Sequence, residues 1–474
     1  MAILFHKIKS NNSNVKRLLS LAFPIVVSSI LYSSQGYIDS IMIAKLGTNE
    51  IAAVGIGARI MWIINSIIFA FGITMSIFLS QSYGENYNQD KRKHIKIGLA
   101  LIVSASIIIS LPTYIMSEKI SAFLSNDKYI ISIASMYISY TSVLYIVGAF
   151  VIFCDSIFRS FQKPKLSAYT TILEVIINTF LNYCLIFGNL GLPEMGVEGA
   201  AIGTIIARLI RAFVSCLLLL ILYPELVKPS LEQPIPITVS NIQNYMSHCM
   251  PIVGNSLVWI GGVFAYQFFV GIINSEAVVL YAIIVPIESV VISISWGIAA
   301  AGGVLIGEVI GMNANYRDNH LSLSENKRVF EVKNSVVLTA TIIAGLLSAT
   351  ILLSKPYLID FYSALSAESA LKLERLLTVL ALSVFLKTLS MLFISGILVS
   401  SGDNKFTFYV STFSQWCVTV PLCAIAVFVF NTNIETLVSL MLVEEVLKLI
   451  FSLHRTRGNK WIRSILSEDK RTPF

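Results

Sequence analysis

Long apolar runs separated by short polar ones make up nearly the whole chain. Runs of roughly 20 residues recur about a dozen times, which is the length an α-helix rising 1.5 Å per residue needs to cross hydrocarbon. Six are predicted near residues 17–41, 51–79, 95–116, 130–157, 166–187 and 197–222. A polar, proline-bearing stretch, YPELVKPSLEQPIPITVSNIQNYMSH, follows them. A second six are predicted near 248–272, 277–310, 332–354, 374–400, 406–430 and 433–453. The expected fold is an all-α membrane protein of about twelve transmembrane helices in two six-helix lobes. The expected division is an N-terminal lobe at 1–222, a cytoplasmic linker at 223–247, a C-terminal lobe at 248–453 and a cytoplasmic tail at 454–474.

The two halves echo each other. FPIVVSSIL at 23–31 resembles MPIVGNSLV at 250–258, and YGENYNQDKRKH after the second run is matched by IGMNANYRDNHLSLSENKR after the eighth, both at an offset of 227. An internal repeat of six spans is the simplest account, with a site expected near the lobe interface or inside a lobe.

Composition agrees: 55% of the residues are hydrophobic and 13% charged, against about 25% charged in soluble domains. The net charge of +7 does not indicate nucleic acid, because the basic residues fall between apolar runs rather than on one arm or helix face. With the N-terminus in the cytoplasm, the Lys/Arg-rich segments DKRKHIK, FRSFQKPK, ENKR and HRTRGNKWIR all lie on the cytoplasmic side, as the positive-inside rule requires. Both termini are then cytoplasmic, and no cleavable signal peptide is evident. Six cysteines without a C-x-x-C pair and five scattered histidines give no expectation of a disulfide framework, a zinc site or any other resident cofactor. No P-loop, H-E-x-x-H or G-x-S-x-G motif is present, so the chain is expected not to be an enzyme.

The candidate chemistry lies in the intramembrane ionisable residues. An aspartate at the centre of a span costs about 2.5–3.5 kcal/mol, which makes Asp39 in LYSSQGYIDSIMIAKLG the sharpest signal, with Gln35 one turn earlier on the same face. Two readings stand: a coupling-ion site, or a structural ion pair with Arg59 of the next span. Asp155 and Arg159 have the i,i+4 spacing of a local pair. Glu174, and Glu288 beside Pro286, could line a cavity or pair with another buried group. Glu308, Glu444 and Glu445 are read as interfacial or paired. Asn178, Asn182 and Thr204 suit interhelical hydrogen bonds, but their oxygens would also suit a hard cation such as Na+ if they converged on Asp39. Lys387 needs a counter-charge or a wet cavity. Trp259, Tyr266, Trp296 and Trp416 could stack on a cationic substrate or simply pack. The glycine cluster AAAGGVLIGEVIG is read as a site of close helix packing.

These stretches resemble the multidrug and toxic compound extrusion (MATE) transporters. The resemblance is carried by PIVVSSILYSSQGYIDSIMIAKLGTNEIAAVGIG at 24–57 and INTFLNYCLIFGNLGLPEMGVEGAAIGT at 177–204, with LIGEVIGMN and ILVSSGDNKFTF. It implies a secondary exporter, a monomer in the plasma membrane, that expels small organic cations or amphipaths against Na+ or H+. Asp39, which would also be the Na+ ligand, occupies the place of the family's coupling acid. Asn178, Asn182 and Thr204 occupy places of its companions, and Gln35 is added from the helix spacing. Arg59, Glu174, Trp259, Tyr266, Glu288 and Lys387 are candidates for the substrate path. Asn182 departs from members with a second aspartate there. Asp39 projects through the repeat onto Tyr266, while Trp259 and Ser390 stand where related exporters carry acids, so a C-lobe ion site is not expected. FRSFQKPK departs from the family's Arg-Gly element. The alternatives are a lipid-linked oligosaccharide flippase of the same superfamily and, more distantly, an intramembrane transferase.

Overall fold

The computed structural model describes residues 2–85, 88–227, 237–312, 323–363 and 365–466. In chain order the helices are α1 (Ala2–Ala44), α2 (Thr48–Glu85), α3 (Asn88–Ile115), the short α4 (Ser117–Leu124), α5 (Lys128–Ser160), α6 (Pro164–Phe187), α7 (Gly196–Leu222), the short α8 (Pro224–Val227), α9 (Val239–Ile273), α10 (Ser275–Met312), α11 (Leu323–Phe361) and α12 (Ala367–Met391). A π-helical segment, Leu392–Leu398, prolongs α12. Next come α13 (Asn404–Thr412), a second π-helical segment at Phe413–Thr419, α14 (Val420–Phe428) and α15 (Ile434–Arg457). Among the described residues, eleven helices are long and apolar enough to cross a membrane. The predicted twelfth span falls on α15, which is a helix but is not among the eleven, because buried Glu444, Glu445 and Lys448 along its middle lower its apolar character.

The chain folds into two compact units, Val27–Cys249 and Met1–Val26 with Met250–Phe474. The expected lobe boundaries differ from this division. The chain passes between units inside α1, two residues after Pro24, and inside α9, just before Pro251, so the repeated F/M-P-I-V motif marks both passages. The predicted linker 223–247 is partly helical: α8 lies in it, and α9 begins at Val239. Residues 228–236 of it lie outside the described residues.

In the unit Val27–Cys249, a core of Ile43, Val54, Tyr137, Ile186, Val197, Ala200 and Ala201 gathers around α6 and α7. Gly188, with φ +68°, ends α6. The chain then returns into α7, whose Gly199 and Gly203 let the two backbones approach. A Cβ at Gly199 would lie 2.6 Å from the Leu185 carbonyl oxygen, the small-residue spacing that lets membrane helices pack closely. In the other unit, the middle of α1 packs Leu18, Leu21 and Ile25 against Ile298, Leu305 and Ile306 of α10. The glycine cluster of α10 packs as its small residues suggest. Gly303 faces the carbonyl of Gly396 in the first π-helical segment, 3.1 Å from where its Cβ would be. A π-helical turn changes the aim of the side chains that follow it.

Candidate functional site

α6 carries Glu174, Asn178 and Asn182 at i, i+4 and i+8, and α7 carries Thr204, Arg208 and Arg211 at i, i+4 and i+7, so each helix presents one polar stripe. The stripes meet in rungs. Asn182 Nδ2 donates to Asp39 Oδ1 at 2.7 Å. Asn178 Nδ2 donates to Thr204 Oγ1 at 3.1 Å, and that hydroxyl donates to the Ala200 carbonyl at 2.8 Å. Asn182 Nδ2 also lies 3.5 Å from Asn178 Oδ1. Asn178 and Asn182 are fully buried, Thr204 and Gln35 nearly so, and Asp39 is half-buried. Asn182 Oδ1 and Gln35 Oε1 are buried without a hydrogen-bond donor among the described residues.

Four of the five expected coupling residues therefore converge, with Gln35 one turn along α1 from Asp39. Arg59 does not join them. It is exposed, and Asp39 forms no ion pair among the described residues, which removes the structural pairing with Arg59.

The next rung is ionic. Both Glu174 oxygens are taken, by Arg208 Nε at 2.8 Å and Arg211 Nη1 at 2.6 Å, and all three residues are buried. Arg211 Nη2 reaches Asp155 Oδ2 at 2.9 Å. The Arg208 guanidinium lies 5.6 Å from the centroid of the Tyr32 ring on α1. The expected Asp155–Arg159 pair is replaced: Asp155 takes its cation from α7, and Arg159 lies 5.5 Å from the Phe69 ring centroid. Sequence reasoning missed Arg208 and Arg211, although two arginines three residues apart in the apolar run IGTIIARLIRAFVSCLLLL were a visible signal of a buried acid partner.

The other unit holds a separate charged set. Lys387 pairs with Glu288, the counter-charge it was expected to need. Tyr266, the repeat counterpart of Asp39, donates its hydroxyl to Glu444 Oε2 at 2.6 Å, and Glu444 also accepts from Lys448. Ser390 donates to Glu445. Glu444 and Glu445 are buried in these contacts rather than snorkelling at an interface. Glu308 pairs with Arg17 at 2.7 Å. Trp259 is partly exposed, and Trp416 donates its indole N–H to the Val258 carbonyl at 3.2 Å. The substrate-path candidates thus divide into three ion-paired residues, Glu174, Glu288 and Lys387, the hydrogen-bonded Tyr266, and two exposed side chains, Arg59 and Trp259.

Comparison with known proteins accords with this architecture. Residues 24–184, which contain Asp39, Glu174, Asn178 and Asn182, match the MatE family model. A probable multidrug resistance protein NorM of Photorhabdus laumondii is 27% identical over 434 residues, covering 87% of this chain and 88% of that protein. The uncharacterized transporter YisQ of Bacillus subtilis is 21% identical over 94% of this chain and 95% of its own. Among solved structures, a mutant of the Vibrio cholerae MATE transporter VcmN superposes with a TM-score of 0.82 at 17% identity, covering 98% of both chains. With its membrane-spanning helices and these relatives, the chain is an integral membrane protein, similar over residues 24–184 to the MatE family and over nearly its whole length to multidrug and toxic compound extrusion transporters.

Proposed function

We propose that the protein is a secondary active exporter that moves small organic compounds, cationic or amphipathic, out of the cell in exchange for Na+ or H+ bound at Asp39. The observation that carries this reading is the setting of Asp39. The carboxylate has no ion-pair partner among the described residues and sits at the head of a buried amide and hydroxyl network. Intramembrane acids are expensive, and an acid left without a salt bridge serves exchange better than architecture. A proton would neutralise it with the Asn182 amide still donating. Turning that amide about its last torsion would present Oδ1 instead, and with Asn178 and Thr204 would give a hard cation the oxygen donors it prefers.

The NorM relatives support efflux of drug-like compounds as the transported class. In this reading the exporter works as a monomer in the plasma membrane, with both termini in the cytoplasm. The flippase alternative needs free cationic groups for a polyanionic lipid headgroup, and here Arg208 and Arg211 are tied to Glu174 and Asp155. The test is reconstitution in liposomes with an imposed Na+ or H+ gradient and a fluorescent organic cation. Export should follow one of the two gradients, and export under neither would refute the reading.

A further inference from the structure

Beyond Asp39 the polar stripe of α6 and α7 continues toward the connection between Ser160 and Pro164, where α5 meets α6. From Asn182 to Glu174 is eight residues, about 12 Å along the helix. Along that path lie oxygens on which a small cation could step: Asn182 Oδ1, Asn178 Oδ1 and Thr204 Oγ1. The path then meets two guanidinium groups. A guanidinium does not lose its proton in a protein, so neither can pass a proton on, and both repel a metal cation. Both are fixed. Arg208 is held by Glu174, and Arg211 by Glu174 and, from the far side, by Asp155. Glu174, the only acid in the α6 stripe, has both oxygens occupied and offers a cation no landing place.

We propose that Arg208, Glu174 and Arg211 form a cation seal inside this unit. The triad closes the polar stripe, so that the ion bound at Asp39 exchanges only from the Asp39 end and cannot leak along α6 and α7. This rests on the reading of Asp39 as the coupling-ion site. Fixed positive charge beside a polar path is how several pores exclude protons and cations. Here the two arginines stand one turn apart on the stripe itself, directly after the last neutral oxygen donor.

The test measures passive Na+ exchange and H+ flux in proteoliposomes of the full chain, with no transported compound present. Arg208→Gln should raise the leak on the order of tenfold over wild type, because a nearby fixed charge is removed from a low-dielectric path. Arg208→Lys keeps the charge and should stay near wild type. Glu174→Gln combined with Arg208→Gln removes the pair together and leaves no new unpaired charge. This double variant covers the case in which the single variant does not fold, and it should leak as well. Adding Asp39→Asn to Arg208→Gln should lower the leak again. A folded Arg208→Gln or double variant that leaks no more than wild type overturns the seal and leaves gradient-driven export through Asp39 to its own test. A leak undiminished by Asp39→Asn overturns both the seal and the coupling site.

Discussion

Asn182 donates its amide to the Asp39 carboxylate at 2.7 Å, and the same side chain rests against the bare α-carbon of Gly203. The second contact sets the first. A Cβ at position 203 would lie 2.5 Å from Asn182 Oδ1, so the helix crossing that brings α6 against α7 also fixes where the amide can point.

Gly203→Ala should therefore push the Asn182 amide away from Asp39. Alanine is a better helix former than glycine, and only a side-chain tip has to move, so the protein should still fold. Losing a hydrogen bond to a charged group costs about 1.5–3 kcal/mol. Gradient-driven efflux should fall by roughly tenfold or more, with little change in detergent-solubilised melting temperature. Efflux assays and thermal melts on the same preparation check this.

The Glu288–Lys387 pair belongs to the unit that does not contain Asp39, and its members are partly exposed. Lys387→Met and Glu288→Gln should each destabilise the protein, because either leaves a lone charge in a span. Breaking a buried pair costs roughly 3–5 kcal/mol, and partial exposure should bring the loss to the lower end or below. The double variant should regain part of it, with unchanged ion dependence. Melting curves of the two single variants and the double variant decide this. A double variant no more stable than the worse single would show that the two residues do not act as a pair.

Orientation follows from the distribution of Lys and Arg. Single cysteines at Asp127, before α5, and at Lys163, before α6, are exposed positions at opposite ends of one helix. In a cysteine-free background, a membrane-impermeant maleimide added to intact cells should label the cysteine at position 127 and spare the one at 163. The reverse pattern would invert the proposed topology.

Much of this was legible in the sequence, because a membrane makes each polar residue conspicuous. Asp39, Asn178, Asn182 and Thr204 stood out by their cost and spacing, and they converge. Lys387 announced the need for a counter-charge, and Glu288 supplies it. Arg208 and Arg211 were equally conspicuous, but spacing along one helix does not show which acids of neighbouring helices they meet. Arg59 was given a partner by depth alone. Hydropathy places a residue along a helix but not around it, and Arg59 is exposed. The passage between units within α1 and α9 was hidden for a related reason: an apolar helix reads the same whichever unit it packs against. The π-helical segments had no signal in the sequence; the first lies where Gly396 packs against the Ala299 carbonyl and Gly303, a contact between helices distant in the chain.

Asp39 carries the central claim. With no ion pair to break, Asp39→Asn should leave the folded yield close to wild type, and Arg59→Gln should be nearly silent. The most direct measurement is efflux of a fluorescent organic cation from proteoliposomes under imposed Na+ and H+ gradients, comparing wild type with Asp39→Asn at equal protein. Wild type should respond to one of the two gradients, and Asp39→Asn, equally folded and reconstituted, should respond to neither. Undiminished gradient-driven efflux by Asp39→Asn would contradict the account.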